Sequence, residues 1–242
     1  MKLLVIPDIH GRTFWKDALE LEPSKIIFLG DYLDPYKEEG LHMGDAIRNF
    51  SEILDLKKKL GDKVILLLGN HDYHYVDLWW TGKGSRFDAV RCQEISDMFH
   101  QYLEYFKLCH LERVGDINYL FTHAGISKLW LKHNGLELPE TQDIPDYLND
   151  LQRKDPYLIL GQVGRSRYGR YPAGSILWAH FPDDFVENDL DPHVCQVFGH
   201  TMGFPRPLNE MMKIGLVCLD EAGKSTFMID SSGIERIEKK DQ

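Results

Sequence analysis

The sequence lacks any long run of apolar residues. Near the amino terminus four consecutive apolar residues, Leu3–Ile6, precede Pro7, and no small-residue cleavage pattern follows them. Such a run fits a buried strand and is too short for the hydrophobic segment of a signal peptide. No run approaches the ~20 residues that span a bilayer. We therefore expect a cytoplasmic protein with no membrane partner.

Cysteine is scarce as well, and positive charge does not predominate. The four cysteines form no C-x-x-C pair, so buried reduced thiols are expected rather than a disulfide framework. The formal net charge is −10. Because a broad surface for nucleic acid is usually basic, this charge argues against a nucleic-acid partner.

What the chain does contain is an alternation of apolar runs and helical patterns. With 242 residues, of which 43% are hydrophobic, it can bury a substantial core. The first part has the order βαβαβ, which predicts a parallel sheet covered by helices. The second half has shorter strands, with Asp220–Gly223 as the expected turn of a hairpin, so it is predicted to be antiparallel or mixed. The predicted strands are Leu3–Ile6, Ile26–Leu29, Val64–Leu68, Ile117–Phe121, Val194–Phe198, Leu216–Leu219 and Ser225–Ile229, and the predicted helices are Thr13–Glu20, Met43–Leu60 and about Phe87–Phe106.

The longest stretch without a regular pattern extends from about residue 136 to residue 178. It is rich in Pro, Gly, Arg and Tyr. Irregular segments of this length in compact proteins are commonly functional loops. We predict a lid or substrate loop at 136–178, within a single domain that covers residues 1–242.

Five short polar motifs each follow an apolar run. In open α/β sheets ligands bind beyond the carboxyl ends of the strands, where residues distant in sequence converge. Glycines next to the polar residues permit tight turns after each strand. The motifs together therefore predict one site. They are Asp8-Ile9-His10-Gly11, Gly30-Asp31-Tyr32-Leu33-Asp34, Gly69-Asn70-His71-Asp72, Thr122-His123-Ala124-Gly125 and Gly199-His200-Thr201.

The side chains of these motifs suit divalent metals. Carboxylates, an amide and imidazoles form a mixed set of oxygen and nitrogen donors. Two ions ~3.5–4 Å apart can hold both reacting oxygens of a phosphate ester and can lower the pKa of bound water from ~15.7 to ~7. The composition thus favours a dimetal centre of the kind that hydrolyses phosphate esters.

The order of the motifs resembles that of the calcineurin-like metallophosphoesterases. The pattern D-x-H-G, G-D-x-x-D, G-N-H-[DE], H-A-G, G-H-T extends from Asp8 to Thr201. Met202 stands where many phosphodiesterases of the superfamily have a second histidine. The chain is therefore most similar to the phosphoprotein-phosphatase branch, which includes small phage-type Ser/Thr protein phosphatases and symmetrical dinucleoside-tetraphosphate hydrolases. The resemblance implies an α/β fold, a four-layer sandwich of two mixed β-sheets flanked by helices.

The resemblance also implies a set of ligands for two divalent ions. Asp31 bridges the two ions, and manganese is the expected metal, with iron or zinc as alternatives. The first ion is held by Asp8, His10 and Asp31, and the second by Asp31, Asn70, His123 and His200.

The mechanism expected of such a centre is in-line attack on phosphorus by a metal-bridging hydroxide, without a covalent enzyme intermediate. His71 directly follows a predicted ligand and is better suited to protonate the leaving oxygen as a general acid. Asp34 is expected to orient and charge its imidazole.

Two arginines that phosphoprotein phosphatases use for phosphate are replaced in this chain. Pro35 follows the second aspartate of G-D-x-x-D, and Ala179 and His180 follow Trp178. Arginine side chains suit phosphate oxygens, and a loop just upstream contains three of them. We predict that Arg165, Arg167 and Arg170 bind substrate phosphate, with a solvated basic loop as the alternative and with Arg12 and Arg86 as further candidates.

Three functions fit these features. The first is a phosphatase of phosphomonoesters, with a phosphorylated small molecule or a phosphoprotein (phosphoserine or phosphothreonine) as substrate. The second is hydrolysis of a dinucleoside polyphosphate or nucleotide, in which Tyr168, Tyr171 or Trp178 stacks on the base. The third is a non-catalytic binding scaffold, which the intact set of ligand positions disfavours.

Overall fold

The computed structural model of the protein describes residues 1–79, 86–185, 193–203 and 207–238. The chain divides into two compact units. Unit 1 comprises Met1–Lys107, Gly223–Ile229 and Glu235–Gln242, and unit 2 comprises Leu108–Ala222 and Asp230–Ile234. The single domain expected over residues 1–242 stays a prediction.

A six-stranded mixed sheet forms the core of unit 1. β1 (Leu3–Ile6), β2 (Lys25–Phe28), β3 (Val64–Leu67) and β4 (Phe106–Lys107) are parallel and adjacent in this order. Every residue of β1 and β3 is buried, as their continuous apolar sequences predicted. On the other side of β1 follow the antiparallel β9 (Ser225–Asp230) and the edge strand β10 (Gly233–Glu238).

The longest helix of unit 1, α2 (Met43–Leu60), has the predicted bounds. Its apolar residues, among them Ala46 and Phe50, are buried, and the helix packs against β3. At its start the side chain of Asp45 accepts a hydrogen bond from the backbone N–H of His42, at 3.1 Å. The other helices of unit 1 are α1 (Trp15–Ala18), α3 (Asn70–Val76) and α4 (Cys92–Gln101).

Unit 2 contains a four-stranded mixed sheet. Its order is β5 (Cys109–Val114), β6 (Ile117–Thr122), β7 (Val194–Phe198) and β8 (Leu216–Cys218). β5 and β6 form an antiparallel hairpin, whereas β6, β7 and β8 are parallel. The helices of this unit are α5 (Lys128–Asn134), α6 (Ile144–Lys154), α7 (Pro156–Leu160) and α8 (Leu208–Lys213). Two mixed sheets flanked by helices confirm the predicted mixed α/β fold.

Two predictions about secondary structure are wrong. The segment 136–178, predicted to be irregular, contains α6 and α7, each with a proline in its first turn, where proline suits a helix. Asp220–Gly223 is not the turn of a hairpin, because β8 belongs to the four-stranded sheet and β9 to the six-stranded sheet. The role of 136–178 as a lid stays a prediction. Among the described helices, none combines the length and hydropathy that a membrane span requires.

Candidate functional site

Three loops of unit 1 begin at the carboxyl ends of β1, β2 and β3 and carry most of the predicted site residues. The first two loops are joined by backbone hydrogen bonds, including one from the N–H of His10 to the carbonyl of Asp31, at 2.6 Å. His10, Asp31 and Asp34 have φ values of 45°, 54° and 56°. Non-glycine residues rarely adopt this left-handed conformation, and such strain is concentrated at functional sites.

His10 is buried and has a defined tautomer. Its Nδ1 donates to the carbonyl of Leu33 at 2.8 Å, so Nε2 carries a lone pair. That nitrogen lies 3.5 Å from Oδ2 of Asp31. Burial lowers the pKa of His10 well below its usual value, although the Asp31 carboxylate acts in the opposite direction. A neutral imidazole whose lone pair lies this close to a carboxylate oxygen fits a cation bound by both groups.

His71 offers a further potential ligand beside this pair. His10, Asp31 and His71 each offer one ligand atom, and these atoms lie within 4.8 Å of one another. Asp8 and Asn70 follow β1 and β3 and are 1% and 4% exposed. The donors are the oxygen and nitrogen types that manganese, iron and zinc accept. The residues present therefore fit a divalent ion.

Asp72 connects the loops that follow β2 and β3. Its buried carboxylate accepts three backbone N–H groups, from Asp31 (2.8 Å), Tyr32 (2.9 Å) and Gly69 (2.7 Å). Burial and the Asp31 carboxylate raise the pKa of Asp72, and the three N–H donors lower it. Asp72 belongs to one of the sequence motifs, but the motif does not predict this role. The Asp72 carboxylate fixes the position of Asp31 relative to Asn70 and His71.

His71 and Asp34 form the predicted pair. His71 Nδ1 lies 2.6 Å from Oδ2 of Asp34, and the backbone N–H of His71 donates to Asp31 Oδ1 at 2.9 Å. The hydroxyl of Tyr75 donates to the other oxygen of Asp34, which is fully buried. Asp34 therefore holds the His71 ring, as an orienting carboxylate does.

Arg86 contacts the same pair. Its Nη2 lies 3.2 Å from His71 Nε2, and its Nη1 donates to the carbonyl of Asp34 at 2.8 Å. Since a guanidinium only donates, Nε2 accepts and Nδ1 carries the proton that bonds to Asp34. The guanidinium also lies 3.6 Å from the centre of the Tyr36 ring.

In unit 2, two predicted ligands lie side by side. His123 follows β6 and His200 follows β7, and their nearest ring nitrogens, Nε2 and Nδ1, are 3.2 Å apart. Both side chains are buried, and His200 has a φ of 67°. The Trp178 ring packs edge-on against His200, with 6.0 Å between ring centres. Two adjacent buried imidazoles also suit a divalent ion.

The three arginines predicted to bind phosphate differ in their surroundings. Arg167 is half-buried and donates to the carbonyl of His200, at 2.8 Å, and to the Thr201 hydroxyl, at 3.2 Å. Arg165 is exposed. Arg170 is also exposed and donates to the hydroxyls of Tyr157 and Tyr171, at 2.6 and 3.3 Å. Of the three, Arg167 is thus in direct contact with the loop that contains the predicted ligand His200.

Comparison with known proteins places these features in a family. A sequence model of calcineurin-like phosphoesterases matches residues 1–204. Because the match covers most of the chain and all five motifs, the protein belongs to the calcineurin-like phosphoesterases, a family of phosphate-ester hydrolases.

Individual relatives are more distant. Over 164 residues, 63% of this chain, the sequence is 24% identical to the symmetrical bis(5'-nucleosyl)-tetraphosphatase of Pseudomonas fluorescens; the chain spans about half (52%) of that protein. A cold-active protein-tyrosine phosphatase of a psychrophilic Shewanella has a TM-score of 0.55 at 15% identity, covering 98% of this chain and 80% of that one. A protein serine/threonine phosphatase from Saccharomyces cerevisiae has a TM-score of 0.52 at 16% identity, with 100% and 81% covered. At these identities the solved structures support the fold alone.

Proposed function

We propose that this protein hydrolyses phosphomonoesters with the help of two divalent ions. The observation that carries the proposal is the arrangement in unit 1, where the His10 lone pair lies beside the Asp31 carboxylate and His71 is held by Asp34. When bound, the ions would supply acidified water and would neutralise charge on the phosphate. Family membership supports the proposed ligands, which are Asp8, His10 and Asp31 for one ion and Asp31, Asn70, His123 and His200 for the other.

In this proposal His71 is the general acid. Water adds to phosphorus while the bond between phosphorus and the leaving oxygen breaks. His71 Nε2 gives its proton to that oxygen, and the proton released by the attacking water restores the imidazole. Asp34 stabilises the charged ring during this exchange through its contact with Nδ1. In the described state Nε2 accepts from Arg86, so Nε2 becomes a donor only when that contact is replaced.

We propose a phosphorylated small molecule or a phosphoprotein as the substrate, with phosphoserine and phosphothreonine included. The similarity to a symmetrical bis(5'-nucleosyl)-tetraphosphatase supports hydrolysis of a dinucleoside polyphosphate as a second candidate. Exposed aromatic side chains such as Tyr168 would then be available to stack on a base.

A panel of substrates separates these candidates. Purified protein is loaded with manganese and assayed with p-nitrophenyl phosphate, a phosphoserine peptide and a dinucleoside tetraphosphate, and kcat/KM is compared. We expect turnover of the first two, and a markedly higher kcat/KM for the tetraphosphate would favour the second candidate. If the protein binds metal yet hydrolyses none of the three, the proposal is wrong. If it binds no metal and stays inactive with added manganese, the scaffold function is supported instead.

A further inference from the structure

We propose that Arg86 binds the phosphate of the substrate beside His71. This inference rests on the proposed function, because it assigns His71 as the general acid. Arg86 belongs to unit 1, as do all of its contacts described above. It is distinct from the three arginines of the loop 164–171.

The first argument is the position of the guanidinium. A general acid must lie about 3 Å from the leaving oxygen, so that oxygen occupies the space in front of His71 Nε2. Arg86 Nη2 is already 3.2 Å from the same nitrogen. A leaving oxygen that reaches Nε2 therefore displaces Nη2 from this contact, and the other oxygens of the phosphate then lie within reach of the guanidinium. Arginine is suited to this task because its planar donors match phosphate oxygens.

The second argument is the charge of Arg86. Its partners are a backbone carbonyl, an imidazole nitrogen and an aromatic ring, and no carboxylate among the described residues forms an ion pair with it. The contrast with Arg12 is clear, since Arg12 is held by both oxygens of Glu39, at 2.7 and 2.8 Å. Within the described part of the chain, Arg86 thus keeps a positive charge beside His71 without a carboxylate in salt-bridge contact. A dianionic phosphate would supply an anionic partner.

The third argument is the way in which Arg86 is held. The carbonyl of Asp34 accepts from Nη1, and the Tyr36 ring lies against the guanidinium plane. These contacts fix the position of the side chain and leave Nη2 with an acceptor, His71 Nε2, that a phosphate oxygen can replace. The guanidinium is therefore held at its Nη1 end and presents Nη2 to the phosphate.

A cavity beside Arg86 provides room for the rest of the substrate. It has a volume of about 490 Å³, and its lining includes Arg86, Pro35, Lys37 and Phe87. This volume is typical of sites that bind small organic groups. The part of the substrate beyond the leaving oxygen is therefore assigned to this cavity.

Direct binding of inorganic phosphate tests the role of Arg86. Calorimetry on manganese-loaded protein compares the wild type with Arg86→Ala, Arg86→Lys and the control Arg48→Ala. Arg48 lies in the same unit, and its side chain is 72% exposed and pairs with Asp45. Because a charge-assisted hydrogen bond is lost, we expect the Kd for phosphate to rise about 10- to 100-fold in Arg86→Ala, less in Arg86→Lys and not in Arg48→Ala.

Metal content, thermal unfolding and steady-state kinetics accompany this measurement. With p-nitrophenyl phosphate, Arg86→Ala is expected to raise KM and to lower kcat while manganese content stays unchanged. An unchanged Kd for phosphate in metal-loaded Arg86→Ala would overturn the inference, and a lower Tm with less metal would then indicate a structural role. If the wild type hydrolyses no substrate but Arg86→Ala still loses phosphate affinity, the proposed function fails and phosphate binding by Arg86 stands.

Discussion

Among single residues, His71 is the one whose replacement distinguishes acid catalysis from metal binding. Its Nδ1 faces Asp34, and it directly follows the predicted ligand Asn70. An asparagine at position 71 keeps a polar side chain but cannot deliver a proton. We expect His71→Asn to lower kcat about 10²- to 10⁴-fold, the usual contribution of a general acid. Metal content, measured by atomic emission, should stay at the wild-type value, as in the exposed control His133→Asn.

A loss of metal in His71→Asn would contradict this assignment. The metal content of His71→Asn must be compared with that of the wild type because His71, His10 and Asp31 are close enough to bind one ion. In that case His71 would be a ligand, and the general acid would be sought elsewhere.

Tyr75 supports the pair of His71 and Asp34 through a contact with Asp34. Its hydroxyl donates to the buried Asp34 carboxylate and accepts from the backbone N–H of Asp88, at 3.0 Å. Burial and the Asp34 charge raise the pKa of Tyr75, so the hydroxyl keeps its proton. Tyr75→Phe leaves a buried carboxylate with one donor fewer, and we expect it to lower the free energy of unfolding by about 1–3 kcal/mol.

Denaturant unfolding of Tyr75→Phe, with Tyr102→Phe as the matched control in unit 1, measures this cost. The reaction rate should fall in Tyr75→Phe as well, because a less firmly held Asp34 orients His71 poorly. Full stability in this variant would mean that the hydroxyl does not bond to Asp34.

At the scale of loops and strands, the close approach of the turns after β2 and β3 sets the geometry of Asp31. A Cβ atom at Gly69 would lie 2.1 Å from Asp31 Oδ1 and 2.6 Å from its backbone nitrogen. The φ of Gly69 is −99°, so the conflict is steric and not conformational. We expect Gly69→Ala to displace Asp31, to cost about 1–3 kcal/mol of stability and to weaken metal binding.

Gly44→Ala is the control for that substitution. Gly44 lies in α2, and the nearest atom to its added Cβ is the flexible Arg91 Nη1, at 3.3 Å. Alanine favours a helix by up to about 1 kcal/mol over glycine, so Gly44→Ala should keep its metal and its stability. Equal metal affinity in the two variants would show that the turns adjust without moving Asp31.

The elements that sequence reasoning found are those with a continuous apolar pattern. β1, β7 and α2 have the predicted bounds, because burial of their apolar residues dictates both their pattern and their structure. β10 was missed, since its residues are half-buried or exposed and include charged side chains. The predicted hairpin at Asp220–Gly223 was wrong because a turn signal does not specify which sheet each strand joins.

The residues of the site also differ in whether a local sequence pattern indicates them. Strand ends and glycine turns led to the motif residues, and in the structure the motifs follow β1, β2, β3, β6 and β7. The supporting contacts of Asp72, Tyr75 and Arg86 could not be derived, because each depends on a residue that is distant in the chain. Arg86, for example, is 52 positions from Asp34. No local sequence pattern predicts such a contact.

For the whole molecule, the number of bound metal ions tests the proposed ligand sets, in which His10 serves one ion, His200 the other and Asp31 both. Wild-type protein should bind two ions, and His10→Ala and His200→Ala should each retain one. Asp31→Ala should lose both, because the proposal assigns its carboxylate to each ion. The control His133→Ala removes an exposed histidine of unit 2 and should retain two.

Thermal unfolding gives an independent measure of the same ligand sets. An ion that binds only the folded chain stabilises it by about 2.7 kcal/mol at a concentration of 100 times its Kd. Added manganese should therefore raise the Tm of chelator-treated wild type most, that of His10→Ala and His200→Ala less, and that of Asp31→Ala least. An Asp31→Ala variant that still bound two ions would contradict the proposed shared carboxylate.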